Sequence, residues 1–216
     1  CVYLGAVLAD REISGEREPV KPLPCGKCRR CVTVCPTKAL DSDGAFHREK
    51  CLRHYMLSGD SIPADVRHYL GKDLVGCDVC QTVCPYNHGQ YKGERTPDPD
   101  IVSAFSIVEI LDEWETGLKE RMARMAPVIG ANYARAAKVL GAALIAAREY
   151  PELTPAVGRA LTHPQPRIRR YAAWALSFHN GAARTLLENA LDKETDPAVR
   201  EEIAAALGRQ AGAEEI

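Results

Sequence analysis

Apolar positions fall into three rhythms along the chain. Residues 1–9, CVYLGAVLA, form a run of apolar residues that predicts a strand. Asp10 to Pro24, with three prolines and Gly15, predicts a polar connector. From 101 to 210 apolar residues recur at helical spacing among Arg and Glu, and the pattern repeats itself. The segments RAAKVLGAAL (Arg135 to Leu144), RIRRYAAWAL (Arg167 to Leu176) and AVREEIAAAL (Ala198 to Leu207) superpose at offsets of 32 and 31 residues. Pro166 and Pro197 stand just before two of these helices, where a missing N–H costs nothing.

Stacked helix pairs of this kind bury a shared core that one pair could not. The period is short of the roughly 40 residues of a HEAT unit, so HEAT-like describes the pattern; a plain helical bundle is the simpler alternative. Tyr171 and Trp174, three apart, are expected in the core and not as base-stacking platforms.

Between these regions the hydrophobic pattern gives way to cysteine. Asp43-Gly44, between Leu40 and Phe46, has the chemistry of a hairpin turn, and a short helix is expected after each cysteine run. Tyr86 to Asp100, rich in Gly, Pro and charge, marks a boundary or a long surface loop. The expected fold class is therefore α+β, a cysteine-rich module followed by an all-α HEAT-like repeat domain. Its parts are a strand and connector over 1–22, the cysteine module over 23–90 and the repeats over 91–216.

Composition narrows the setting. With 28 basic and 29 acidic residues the net charge is −1, which neither suggests nor excludes nucleic acid. Eight of the nine cysteines lie between 25 and 84, and their spacing fits metal ligation in a reducing compartment better than a disulfide framework. No apolar run reaches the roughly 18 residues of a membrane span, and no signal sequence opens the chain. A monomeric cytoplasmic protein with no membrane partner is expected. The start at Cys1, without Met and inside an apolar run, looks like a cut through a larger protein.

Cys25, Cys28, Cys31 and Cys35 are spaced C-x2-C-x2-C-x3-C and followed by Pro36, the bacterial ferredoxin pattern in which the fourth cysteine ligates the neighbouring cluster. Cys77, Cys80 and Cys84-Pro85 repeat only the tail of the pattern, with Leu74 where the first cysteine would stand. Crossing the fourth ligands assigns Cys25, Cys28, Cys31 and Cys84 to one 4Fe-4S cluster. Cys35, Cys77 and Cys80 then need one more thiolate. Cys51 lies between the runs, whereas the connector separates Cys1 from them, so Cys51 is the expected eighth ligand and Cys1 a buried free thiol. Two structural zinc sites would also use eight thiolates, but have no need of the x2-x2-x3-Pro sequence. Two cubanes imply single-electron transfer to another protein or a cofactor. His47, His54 and His68 are expected at the surface or in hydrogen bonds, since eight thiolates complete both clusters.

The order PCGKCRRCVTVCPTKAL, then REKCLRHYMLSGDSIPADVRHYLGKDLVGCDVCQTVCPYN, then Arg- and Ala-rich helical repeats resembles the carboxy-terminal two-thirds of the epoxyqueuosine reductase family. The likeness is close from Pro24 to Asn87, architectural through the repeats and faint over residues 1–10. It implies a cobalamin-dependent, double-cubane enzyme of tRNA modification, related in its core to corrinoid reductive dehalogenases, with an isolated cysteine at the place of Cys51 ligating the second cluster. In that family a preceding domain holds the corrinoid and the catalytic acid, and residues like Val2 to Leu8 form its last strand. The chain alone is accordingly expected to relay electrons and dock tRNA, with no catalytic residue of its own.

The implied reaction reduces an epoxide on the wobble guanosine derivative to the cyclopentene of queuosine. Electrons would pass from an external low-potential donor through both clusters to low-valent cobalt. Where family members commonly carry a Ser-Tyr-Leu-Thr-like stretch after the isolated cysteine, this chain has Leu52-Arg53-His54-Tyr55-Met56. That departure leaves a paralogue with another substrate as an alternative. A stand-alone ferredoxin-like carrier whose repeats bind a protein partner is another.

For RNA phosphates the candidates are Arg167, Arg169 and Arg170 beside His163, with Arg135 and Lys138 at matching places one repeat earlier. A solvated, salt-bridged helix face is the plainer reading of the same residues.

Overall fold

The computed structural model of the protein describes residues 8–11, 25–58, 61–87, 96 and 98–213. Residues 1–7 of the expected strand, with Cys1, lie outside them, as do most of the connector and of the segment from Tyr86 to Asp100.

The α+β expectation is not met. Among the described residues there is no strand, only one antiparallel bridge between Leu40 and Phe46. The turn forms at Asp43-Gly44, with Gly44 at φ 91°. Asp41 N–H donates to Ala45 O at 3.2 Å and His47 N–H to Ala39 O at 2.8 Å. Beyond that bridge the chain on one side curls back to Cys35 and on the other winds at once into a 3-10 turn, Arg48–Lys50, so no ladder can lengthen. Leu8 and Ala9, the described end of the expected strand, are unpaired and exposed.

Short α-helices start inside the cysteine runs, and a 3-10 turn, Pro85–Asn87, follows the second run directly. Cys31 lies within α1 (Arg30–Val34) and Cys80 within α4 (Val79–Thr82), and these two short helices pack on each other. The segment between the runs carries α2 (Leu52–Leu57) and α3 (Ala64–Arg67).

The remaining helices are α5 (Pro99–Ala104), α6 (Ile107–Glu113), α7 (Leu118–Ile129), α8 (Ala136–Ala146), α9 (Thr154–Arg159), α10 (Pro166–Leu176), α11 (Ala182–Lys193) and α12 (Pro197–Ala213). Their starts are written in the sequence. Ser106 Oγ accepts Glu109 N–H at 3.3 Å to open α6. Asp196 Oδ1 accepts the N–H groups of Ala198 and Val199 at 2.9 and 3.1 Å to open α12 behind Pro197. The three self-similar segments are α8, α10 and α12, and α10 packs between the other two. Ala and Gly where they meet bring them close. An added Cβ on Gly141 of α8 would meet Tyr171 Cε2 at 2.9 Å, so glycine there is the space the tyrosine ring occupies.

The cysteine module and the repeats share one core. Leu52 and Met56 of α2, Val66 of α3 and Leu70 are buried in the same cluster as Leu140, Leu144, Ile168 and Trp174. Tyr171 and Trp174 are core residues, 3% and 1% exposed. Among the described residues no helix is long and apolar enough to cross a membrane.

Candidate metal centre

The first cysteine run is shaped by its own backbone. Cys28 N–H closes a turn onto Cys25 O at 3.1 Å, with Gly26 at φ 55°. Arg29 ties the loop down, its Nε donating to Ser42 O at 2.9 Å and its Nη1 to Cys28 O at 2.9 Å. Helix α1 then carries Cys31 inward and ends at Cys35, whose Sγ accepts Ala39 N–H at 3.2 Å. Burial pushes the Cys35 thiol up, but the N–H of Ala39 and the hydroxyl and N–H of Thr37 outweigh it, and its pKa is lowered. Thiolate is the ligating form, so these bonds prepare the residue for iron.

The second run is built alike. Gly76 at φ 79° turns the chain into Cys77, α4 carries Cys80, and Cys84 N–H donates to Gln81 O at 3.3 Å. Burial raises Cys77 and Cys80, and so do neighbouring charges. For Cys77 these include Asp73, Cys51 and Cys35; for Cys80 they are Cys77, Cys51 and Cys35. Cys35 and Cys51, from two other parts of the chain, therefore both lie within electrostatic reach of Cys77 and Cys80. Four crowded thiolates repel, and a cationic iron cluster relieves that repulsion.

Cys51 reaches this group because it begins α2. Its carbonyl accepts His54 N–H at 2.8 Å, and Leu52 and Met56 plug the helix into the core beside α8. All eight described cysteines are free thiols. Among the described residues no three Cys, His, Asp or Glu converge tightly enough to chelate a single ion. A cubane asks for a different arrangement, since each thiolate holds its own iron at a separate corner.

Residues 24–87 match the 4Fe-4S double cluster binding domain family, and residues 130–210 match the HEAT repeats family. An epoxyqueuosine reductase of Listeria monocytogenes is 31% identical over 211 residues, covering 94% of this chain and 54% of that protein. A crystal structure of epoxyqueuosine reductase with an epoxyqueuosine-modified tRNA-Tyr stem loop superposes with a TM-score of 0.73 at 27% identity, over 90% of this chain and 53% of that one. The chain is homologous to part of the epoxyqueuosine reductases. It spans about half the length of the reductases it matches, 54% in the Listeria protein, and not the two-thirds that the motif resemblance implied. A Geobacillus stearothermophilus protein, described as an uncharacterized protein in the gldA 3′ region, is 31% identical over 94% of both chains. The double 4Fe-4S domain of the family is thus present in this chain.

The six residues proposed for RNA fare differently. Arg135 is exposed at the start of α8. Arg167 is half-buried at the matching place of α10. Lys138 points its ammonium at Leu57 O, the last carbonyl of α2. Arg169 is engaged internally, bidentate to Glu194 at 2.6 and 2.8 Å and bonded to His163 O. Arg170 lies 3.6 Å from Glu202. The His163 ring lies tilted at 49° beside Trp114, centroids 5.0 Å apart, and accepts Gln165 N–H, and burial lowers its pKa.

Of the histidines in the cysteine module, His47 bonds Asp41 at 2.6 Å and His68 meets the edges of Trp174 and Phe178; His54 is half-buried beside Tyr55. Sequence reasoning missed Arg53 and Arg67. Arg67 follows Val66 in a short helix, where a charge normally faces water, and its burial is explained by distant partners, Glu202 above all, with Tyr171 and Trp174.

Proposed function

We propose that this chain is the electron-relay and tRNA-docking portion of a cobalamin-dependent reductase of the epoxyqueuosine type. Its ligands would be Cys25, Cys28, Cys31 and Cys84 for one cluster and Cys35, Cys51, Cys77 and Cys80 for the other. The electrostatic influence of both Cys51 and Cys35 on Cys77 and Cys80 supports this reading. It answers the deficit left by Leu74, and the donor set of soft thiolates fits 4Fe-4S clusters.

When bound, the clusters supply single-electron transfer. The protein's own part is to hold the thiolates, to donate Ala39 N–H to the Cys35 sulfur and to exclude water from the side facing the shared core. The corrinoid and the acid for the epoxide oxygen would belong to the part of the family's length that this chain does not span. The donor would be a low-potential one-electron protein. RNA would lie along the edge where α8 and α10 begin, with Arg135 and Arg167 facing phosphates. The solved relative bound to a tRNA stem loop supports that partner, and a tRNA partner implies the cytoplasm.

Anaerobic reconstitution tests the reading. It predicts about eight irons per chain and broad visible absorption, and tighter binding of tRNA bearing epoxyqueuosine once the corrinoid portion is present. A colourless zinc protein would overturn it.

A further inference from the structure

Arg53 lies in the stretch Leu52-Arg53-His54-Tyr55-Met56 that follows Cys51, and its surroundings give it a function. Arg53 stands two residues after Cys51, half-buried at the start of α2. Its guanidinium occupies the space beside Gly76, one residue before Cys77: a Cβ built on Gly76 would be 3.1 Å from Arg53 Nη1 and 3.6 Å from its Cζ. On its other side the guanidinium carbon is 5.6 Å from the ring centroid of Tyr133, in the turn that leads into α8. Among the described residues no carboxylate lies within ion-pair distance of it. A cation thus stands two residues from Cys51 and beside the residue before Cys77, two of the four thiols grouped with Cys35 and Cys80.

We propose that Arg53 is an electrostatic tuning residue that raises the reduction potential of the second cluster, held in place by Gly76 and by the face of Tyr133. This rests on the assignment of Cys35, Cys51, Cys77 and Cys80 to that cluster. The step it acts on is the uptake of one electron from a one-electron donor, which takes the cubane from 2+ to 1+ with no bond broken and no proton moved. A fixed positive charge favours the more negative, reduced form. In a half-buried site of effective dielectric near 20 a charge one or two residues from the ligands acts on the scale of about tenfold in the equilibrium.

Gly76 has a double reason to be glycine. Its φ of 79° is strained for any side chain, and a Cβ would press on the guanidinium. Tyr133 gives the repeat domain a hold on the charge, since an Arg over an aromatic face is attracted to it. Arg53 therefore joins the electronic tuning of the cluster to the edge of the repeats where Arg135 lies.

The test is an anaerobic redox titration of the reconstituted full chain, followed by the electron paramagnetic resonance of the reduced clusters, with iron counted in every sample. Arg53→Gln is expected to keep about eight irons and to lower the potential of one cluster by about tenfold in the reduction equilibrium, or about 59 mV for one electron. Arg53→Lys is expected to restore most of that loss. Tyr133→Leu, which leaves the charge but frees it, is expected to shift the same cluster in the same direction by less. If Arg53→Gln sheds iron, Tyr133→Leu decides: full iron with both potentials at the parent's values overturns the proposal. Full iron with both potentials unmoved in Arg53→Gln overturns it as well, leaving the ligand assignment intact. A Cys51→Ala chain that keeps both cubanes would instead remove the assignment on which it rests.

Discussion

Arg67 and Glu202, 135 residues apart in sequence, form an ion pair of 3.0 Å inside the protein. Arg67 is fully buried; its Nε donates to Ile62 O at 2.9 Å, and its guanidinium lies over Tyr171 and Trp174 at 5.0 and 5.7 Å. Burial draws its pKa down further than Glu202 lifts it, so the pair holds a charge in place at a cost. One residue belongs to the segment between the cysteine runs and the other to the last repeat helix. The pair pins the module to the repeats.

Removing either partner should therefore uncouple the two. Glu202→Ala leaves a buried guanidinium without its carboxylate, a change that typically costs about 3–5 kcal/mol. Arg170 and Arg209, 3.6 and 3.7 Å from Glu202, lose their carboxylate too. Urea unfolding followed by cluster absorbance and by helical circular dichroism should give coincident transitions for the parent chain and separate ones for the variant.

Tyr171 makes a second cross-link, its hydroxyl oxygen accepting Ile62 N–H at 2.7 Å. Tyr171→Phe orphans that buried N–H and should cost about 1–3 kcal/mol. Gly141→Ala, which drives a methyl into the same ring, should cost a similar amount by overpacking. Thermal melts of both variants check this.

Among the RNA candidates, charge and engagement separate the residues. Arg135→Ala should weaken tRNA binding and reduce the salt slope by about 0.9 for each phosphate no longer neutralised, less where the RNA is single-stranded. Arg169→Ala should chiefly lower the melting temperature, because its guanidinium is already engaged by Glu194 and His163 O. Binding isotherms at several salt concentrations, run beside melts, distinguish the two classes.

Stability should fall on the acid side of neutrality. His179 is 1% exposed and bonds Thr154 Oγ1 and Ala147 O at 2.9 Å each. Burial pushes its pKa below the ordinary value against the lift from the backbone around Ala147 and Arg148, and His68 and His163 shift the same way. The unfolded chain thus takes up protons that the folded one refuses. The stabilisation is complete above the unfolded histidine pKa of about 6.5 and declines as pH drops through it toward the lower folded values. Melting temperatures measured between pH 7.5 and about 5 should decrease in step, and His179→Gln should flatten the decline.

The cysteine spacing was legible because ligand geometry is written into short sequence intervals, and so were the repeat helices, whose apolar period and prolines recur. The α+β class was misread from two short signals. One apolar run lies mostly outside the described residues, and the turn at Asp43-Gly44 supports a single bridge because its flanks leave at once for Cys35 and for a 3-10 turn. Arg53 and Arg67 were illegible because what defines them, Gly76 and Tyr133 for one and Glu202 for the other, lies 23 to 135 residues away. Lys138 and Arg169 looked like a basic ridge, although their partners Leu57 O and Glu194 stand in other helical layers.

Iron stoichiometry of the Cys51→Ala chain, reconstituted anaerobically beside the parent protein, tests the central claim most directly. If Cys51 supplies the thiolate that Leu74 does not, the parent should hold about eight irons and the variant about four, with one of two cluster signals gone. A variant that still binds about eight irons with both signals intact would contradict the account.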